Sequence, residues 1–364
     1  MALQQVLQES LEHWKAISKM DYCLMDLNET IIASTTFSLP LPSIETYQTF
    51  VDSAAVSCTS DSGILLKVST KGEFTHILLV FGSGEAFHTI AELAVCQVES
   101  LLDAYREKND RNIYLQNLLL GNYSRLEIYN RAKKLHISSN VSRAVFLVHT
   151  RDASEESVLS TIRNIFSSRT SDYITTLNNE EIVILREISP SDNDDDLLGT
   201  AYMLVDMLNT EVMTPAWVSY GSIVTTLEEL PNAFREAKTS MEVGKIFQVS
   251  RNVFSYNQLG IGRLIYQLPV PVCEMFIDEI FQQDTPDSLD DETLHTIKIF
   301  FENNLNLSET SRQLFVHRNT LVYRFEKLQK KFGLDIRTFE DALTFKLAMM
   351  VVDYVKYKKE KESS

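Results

Sequence analysis

One stretch, LSETSRQLFVHRNTLVYRFEKLQKKFG from Leu307 to Gly333, limits the fold of its surroundings more than any other part of the chain. Its apolar spacing predicts two helices joined by a tight turn. The first runs from about Ser308 to Phe315, with Ser308 as N-cap and Glu309 in the first turn, where the helix dipole favours a carboxylate. The second runs from about Arg318 to Phe332 and stops at Gly333, a residue at ease in the left-handed conformation. Leu321, Phe325, Leu328 and Phe332 recur at helical spacing and give this helix one apolar face. Leu314 and Val316 close the angle between the helices, and Ser311 is the small residue where they approach.

The opposite face is cationic and rich in hydrogen-bond donors: Arg318, Asn319, Thr320, Tyr323, Arg324, Lys327 and Lys331. From Ser308 to Gly333 six Lys/Arg stand against two Glu, a local charge of +4, in a chain whose formal net charge is −16. Basic charge gathered on one helix of an acidic protein points to a polyanion. A plain helical hairpin with a solvated basic face would explain the charge, but not the helix–short turn–helix spacing.

HRNTLVYR at His317 to Arg324, followed by Gly333 and a further helix, resembles the C-terminal helix-turn-helix of the PucR/CdaR-type bacterial transcription regulators. The turn departs from the general DNA-binding motif by holding Phe315 where Gly is usual. A left-handed Phe is costly, so another turn geometry is expected. Ser311 stands where Ala is more usual. The second helix is expected in the major groove, its N-terminal residues nearest the base edges. Arg suits guanine and Asn adenine, so Arg318, Asn319 and Tyr323 lead the expected base contacts, joined by Thr320 and Arg324. Arg312, His317, Lys327 and Lys331 are the expected phosphate contacts.

The 364 residues exceed one typical domain, and a hydrophobic content of 44% supplies buried cores. Cys23, Cys58, Cys96 and Cys273 form no CxxC pair, which speaks against a zinc site or a disulfide framework. No apolar run approaches a membrane span, and MALQQVLQES lacks the features of a signal peptide. A cytoplasmic protein without membrane contact is expected.

The expected architecture is α+β and multidomain. Residues 1–110 form a PAS/GAF-like sensor with an exit helix, 111–285 a degenerate GGDEF-like α/β domain, and 286–364 an all-α helix-turn-helix domain. In the first, a helix over 3–19 turns Leu3, Val6, Leu7, Leu11, Trp14 and Ile17 inward. Strands follow at 22–27 and 30–36, a helix at 43–57, then strands at 64–70 and 76–82 joined by Lys71-Gly72-Glu73. A long helix covers 85–122, with the charged run Arg106 to Arg111 inside it. The sensor assignment is an analogy of fold, set against a dimerisation domain without ligand.

The middle region alternates: strand 144–150, helix 154–168, a hairpin of 172–177 and 182–188 around Asn178-Asn179, helix 197–209, strand 217–223, helix 230–247 and strand 253–256. This order, with LLLGNY (118–123), FREAKTSMEVGKIF (234–247) and YNQLGIGRLIYQLP (256–269), resembles the GGDEF-like domain of the same regulators, so the resemblance covers roughly 111–360. It raises a nucleotide cyclase as an enzyme alternative. Such a hairpin needs a Gly-Gly turn at the phosphates and carboxylates for Mg²⁺. Leu177-Asn178-Asn179-Glu180-Glu181 has no Gly, so no catalysis, metal or cofactor is expected. Asp192 and Asp194 to Asp196 are read as a solvated linker, and His76, His136 and His149 as packed.

Asp284 to Asp291, with Pro286, is the expected hinge, and Glu292 to Asn303 leads the last domain with Leu294, Ile297, Phe300 and Phe301 inward. Thr338 and Asp341 suggest a capping box for a closing helix. Its inward face is Phe339, Leu343, Leu347, Met350, Val351 and Tyr354, with KYKKEKESS fraying beyond. The reading is a ligand-responsive transcription regulator without enzymatic activity. Its partners are a double-stranded DNA operator, a small-molecule effector that residues 1–110 do not identify, and a second or further copy of itself. An RNA-binding antiterminator is the other alternative.

Overall fold

The computed structural model describes residues 3–36, 42–60, 63–151, 154–166, 171–178, 181–281 and 289–363. They divide into two compact units, Met1–Ser138 and Ser139–Ser364.

The first unit runs α1 (Leu3–Ser18), β1 (Asp21–Asp26), β2 (Ile31–Ser34), α2 (Ile44–Asp52), β3 (Ser57–Ser60), β4 (Gly63–Thr70), β5 (Glu73–Phe81), α3 (Phe87–Leu119) and α4 (Arg125–Lys134). Its five-stranded sheet has the order β2-β1-β5-β4-β3, antiparallel throughout. The central strands are apolar on both faces because both are covered. Tyr22, Leu24, Leu66, Leu78 and Val80 meet Leu7 and Leu11 of α1 and Ala91, Ala94 and Val98 of α3. The alternate residues Cys23, Met25, Leu65, Ile77 and Leu79 meet Tyr47 and Phe50 of α2. Lys71 and Gly72, both at positive φ (49° and 83°), make the tight turn between β4 and β5. α2 stops at Asp52, short of the expected end at Ser57, the short polar strand β3 that follows was not expected, and Ile17 is exposed rather than inward.

The second unit opens with β6 (Arg143–Thr150), α5 (Glu155–Phe166), β7 (Tyr173–Asn178), β8 (Glu181–Glu187), α6 (Asp194–Met207), β9 (Ala216–Tyr220), α7 (Leu230–Phe247) and β10 (Val253–Ser255). The sheet order is β10-β9-β6-β8-β7. Only β9–β10 is parallel among these pairs. α5 and α6 cover one face through Val158, Ile162, Leu197, Ala201 and Leu204. α7 packs close to the sheet: Ser219 Oγ donates to the Ala237 carbonyl at 2.7 Å. A Cβ on Gly221 would stand 2.2 Å from the Ala233 carbonyl oxygen, so only glycine fits. β7 and β8 form the expected hairpin, with Asn178 opposite Glu181. Asn179 and Glu180 of its turn lie outside the described residues.

Two expectations change here, while His149 packs as expected. The acidic run is a helix start, not a linker: Asn193 caps α6, accepting from the Asp195 and Asp196 amides, and Asp196 returns a bond to the Asn193 amide. Carboxylates gathered at that end are favoured by the helix dipole. His136 is exposed and left-handed (φ 54°) rather than packed. His149 is half-buried and lies against Trp217, ring centroids 6.0 Å apart.

The chain continues through α8 (Gly262–Ile265), α9 (Val270–Phe281), α10 (Asp291–Glu302), α11 (Leu307–Gln313), α12 (Arg318–Phe332) and α13 (Phe339–Ser363). Of the expected hinge, 284–288 lie outside the described residues; Leu289 already packs into the last core and Asp290 caps α10. The expected tail is helical to Ser363, because Tyr357 (2.5 Å) and Lys361 (2.8 Å) both donate to Glu242 of α7. The closing helix also differs in its inward face. Ala348, Phe345 and Val352 enter the core around α12. Val351, Tyr354 and Val355 enter a second cluster with Ile246, Ile265 and Cys273. Phe339 and Leu343, expected inward, are exposed. The capping box is half made: the Asp341 amide reaches Thr338 Oγ1 at 3.4 Å, but the Asp341 carboxylate accepts from the Asp335 amide.

Candidate nucleic-acid interface

α10, α11, α12 and α13 close over an aromatic core of Phe281, Phe300, Phe325, Phe332 and Phe345 with Ile297, Leu321, Leu328 and Ile336. Phe300 and Phe325 approach to 4.6 Å between centroids, and Phe281 stands edge-on to Phe332 at 5.2 Å. Such pairs contribute ~0.5–1.5 kcal/mol each beyond area burial, enough to fix the orientation of α12.

α11 is capped by Asn306, whose side chain accepts from the amides of Ser308 (3.0 Å) and Glu309 (3.1 Å). The cap is therefore Asn306, not Ser308. Thr310, not Ser311, is the fully buried residue of α11, its hydroxyl donating to the Asn306 carbonyl. The turn to α12 is left-handed at Phe315 (φ 55°), against expectation. Two bonds impose it: the Val316 amide reaches back to the Ser311 carbonyl (3.0 Å) and the Phe315 amide to that of Arg312 (3.3 Å). This is a Schellman ending, in which the left-handed residue lets the next one turn inward. Val316 accordingly packs on the core, with Leu314, while Phe315 is left 95% exposed.

α12 begins and ends where the sequence predicts, with Gly333 left-handed at φ 76°. Leu321, Phe325, Leu328 and Phe332 are buried, and Arg318, Asn319, Thr320, Lys327 and Lys331 are exposed, as is Tyr323 at 68%. Lys330 follows Tyr323 by seven residues and so lies on the same side. It was absent from the expected contacts, although its spacing alone would have included it. His317 is the N-cap: Nδ1 accepts from the Asn319 amide at 3.2 Å, which fixes the ring at the head of the helix. Arg312 is exposed and paired with Glu309 on its own helix at 2.6 Å.

Arg324 stands apart from this group. Its guanidinium donates to Thr296 Oγ1 of α10 at 2.8 Å and to the carboxylate of Glu292, and its side chain is only 19% exposed. The structure thus uses it to tie α12 to α10 rather than placing it beside Arg318 and Asn319. The chemistry that remains outward is a row of donors, with Arg318 and Asn319 at the helix head and lysines towards its end.

Residues 293–351 match the PucR C-terminal helix-turn-helix domain, and residues 120–243 the GGDEF-like domain. The chain is similar to the purine catabolism regulatory protein of Bacillus subtilis (strain 168), 26% identical over 167 residues, covering 44% of this chain and 32% of that one. It is also similar to the carbohydrate diacid regulator of Escherichia coli (strain K12), 22% identical over 317 residues and 79% of each. The chain thus aligns with about a third of the first relative and most of the second. Among solved structures it is similar to a regulator of polyketide synthase expression from Bifidobacterium adolescentis, at 17% identity and a TM-score of 0.34, covering 69% of this chain and 99% of that one. The resemblance to both domains of these regulators is borne out, HRNTLVYR lying within the first match and LLLGNY and FREAKTSMEVGKIF largely within the second, while the piece 256–269 lies in neither.

Proposed function

We propose that this chain, built on a PucR-type helix-turn-helix and a GGDEF-like domain, is a DNA-binding transcription regulator responsive to a small molecule. The observation that carries the reading is the division of α12: one edge is locked into the aromatic core, and the other is an exposed row of donors in an acidic protein. α12 lies in the major groove. Arg318 and Asn319 take base edges, with Thr320 and Tyr323 beside them. Arg312, His317, Lys327, Lys330 and Lys331 hold phosphates. Arg324 leaves the base-reading set for the reason given above.

Residues 1–110 act as the sensor. A five-stranded antiparallel sheet enclosed between α2 on one face and α1 with α3 on the other supports a PAS- or GAF-like reading. The relatives named for purine catabolism and carbohydrate diacids support a metabolite effector and an operon that handles it. Among the described residues no helix is long and apolar enough to cross a membrane, which supports a cytoplasmic place of action. The middle domain is non-catalytic, a reading supported by relatives named as regulators and by a hairpin without glycine.

The test is operator binding by the full chain, followed by fluorescence anisotropy over a series of salt concentrations. Arg318→Ala should cost roughly 1–3 kcal/mol and relax discrimination at one base pair. Lys327→Ala should weaken all sequences alike and reduce the salt slope by about one. Unchanged affinity in both variants refutes the assignment, and preference for single-stranded RNA over duplex DNA selects the antiterminator instead.

A further inference from the structure

The fold makes no use of the Phe315 ring. It is 95% exposed, more than any other large apolar side chain among the described residues. Its backbone is left-handed at φ 55°, a conformation that costs a residue with a Cβ and that glycine adopts freely. The other end of α12 meets the same demand with a glycine, Gly333 at φ 76°. Leu305, a left-handed leucine between α10 and α11, packs on the aromatic core, so burial offsets its cost. Phe315 gains no such burial. Strain held at a side chain that packs on nothing points to a role outside folding.

Met213 is left-handed and exposed too, in the middle domain; what sets Phe315 apart is its company. Arg312 precedes it by three residues, and His317, Arg318 and Asn319 follow within four, all of them exposed. The turn that sends Val316 into the core sends the ring outward among these donors. From this placement we propose that Phe315 reads a thymine, its ring resting on the C5-methyl group in the major groove. The assignment rests on the DNA-binding reading and adds to it a residue that selects sequence without a hydrogen bond.

The choice of thymine follows from what a duplex offers at that place. In a helix-turn-helix the first helix crosses the backbone and the head of the second meets base edges, so the turn between them lies at the mouth of the groove. Phosphate oxygens there require donors, which a phenyl ring lacks. Along the base edges of the major groove the apolar group is the thymine methyl, and phenylalanine is among the side chains that fit it. Arg318 and Asn319 suit guanine and adenine, so the ring adds a pyrimidine to what the helix head can distinguish. Covering one methyl removes little apolar surface, and the expected discrimination is roughly three- to ten-fold. Glycine at 315 would relieve the turn and read nothing, which accounts for a strained residue where an unstrained one would fold as well.

The test uses the full chain and a duplex selected by it from a random-sequence pool. Each thymine of that duplex is replaced singly by deoxyuridine, which keeps the base pair and removes only the methyl, and affinity is read by anisotropy at fixed salt. The wild type should lose roughly three- to ten-fold at one thymine position of the recognised element. Phe315→Ala and Phe315→Gly should bind the thymine and uracil forms equally, and Phe315→Leu should keep part of the difference. The glycine variant should melt no lower than the wild type, so its lost methyl sensitivity cannot come from misfolding. Arg318→Ala should stay sensitive to the same methyl while binding more weakly. Tolerance of uracil at every position by the wild type, or a methyl sensitivity that survives Phe315→Ala, overturns the inference. So does an equal loss by Phe315→Ala on every sequence, which would put the ring against the sugars instead. In those cases a weakened Arg318→Ala leaves the DNA-binding reading intact, whereas a wild type that prefers no duplex sinks both.

Discussion

Replacing Arg324 by Ala separates a structural arginine from a base-reading one. Its guanidinium donates to the buried Thr296 hydroxyl at 2.8 Å and to Glu292. Thr296 keeps its own donation to the Glu292 carbonyl (2.8 Å) in the variant, so only its acceptor lone pair loses a partner. A hydrogen bond from a charged donor to a buried group contributes ~1.5–3 kcal/mol. The Glu292 carboxylate is 73% exposed, so its ion pair with Arg324 adds less than about 1 kcal/mol. The sum is about 1.5–4 kcal/mol, lost from the contact between α10 and α12. For a cooperative unit of this size that corresponds to a fall in melting temperature of roughly 3–16 °C.

Calorimetry of the full chain, alongside anisotropy against a panel of single-base operator variants, reads both sides. The expected result is a lowered transition and an affinity loss that is uniform over the panel, because a loosened α12 is misplaced for every base alike. Arg324→Lys should recover part of the stability only, since an ammonium cannot span both acceptors as a planar fork does. An unchanged melting temperature together with lost discrimination at one base pair would refute the reasoning and return Arg324 to the base contacts.

Two further outcomes follow from single residues. Phe315→Gly should stabilise: a non-glycine left-handed residue costs about 1–2 kcal/mol, glycine's extra chain entropy offsets ~0.5–1, and the exposed ring forfeits no packing, for a net gain of up to about 1.5 kcal/mol. Phe315→Ala, which keeps the strain, should show no such gain in the same thermal melt. At Glu242, burial pushes the carboxyl up, but hydrogen bonds from Lys361 and Tyr357 and the nearby lysines hold it below its ordinary value of 4.5. A depressed carboxylate stabilises fully above that ordinary value and loses its contribution as pH falls through the lower folded one. Hydrogen exchange at the end of α13 should therefore accelerate on acidification in the wild type, and be fast and pH-independent (after correction for intrinsic rates) in Glu242→Gln.

What the sequence made legible was what local pattern controls. The limits of α12 are set by an uninterrupted apolar stripe and a terminal glycine, and both helix ends came out as read. The hairpins of both sheets follow from alternation and turn residues in the same way. Where two local solutions compete, the reading slipped: Asn306 caps α11 ahead of Ser308, because its side chain reaches two amides at once. The Asp194–Asp196 run looked like a linker only because charge was weighed and the cap at Asn193 was not.

The site was harder to read, since its assignments depend on a neighbour remote in sequence. Helical spacing puts Arg324 on the flank of the basic face, and only the return of α10, with Glu292 and Thr296, turns it inward. The same holds on a larger scale for α13. A helix apolar on two sides defeats a single-face reading, and here the second side exists because two cores share one rod. Phe345, Ala348 and Val352 serve the core of α12, while Val351, Tyr354 and Val355 serve the cluster with α7 and α9. The two sets interleave within one turn, so α13 cannot rotate to improve one core without disturbing the other. α13 thus packs on α7 and α9 with one side and on the core of α12 with the other, and the Glu242 contacts with Tyr357 and Lys361 fasten the far end of that rod.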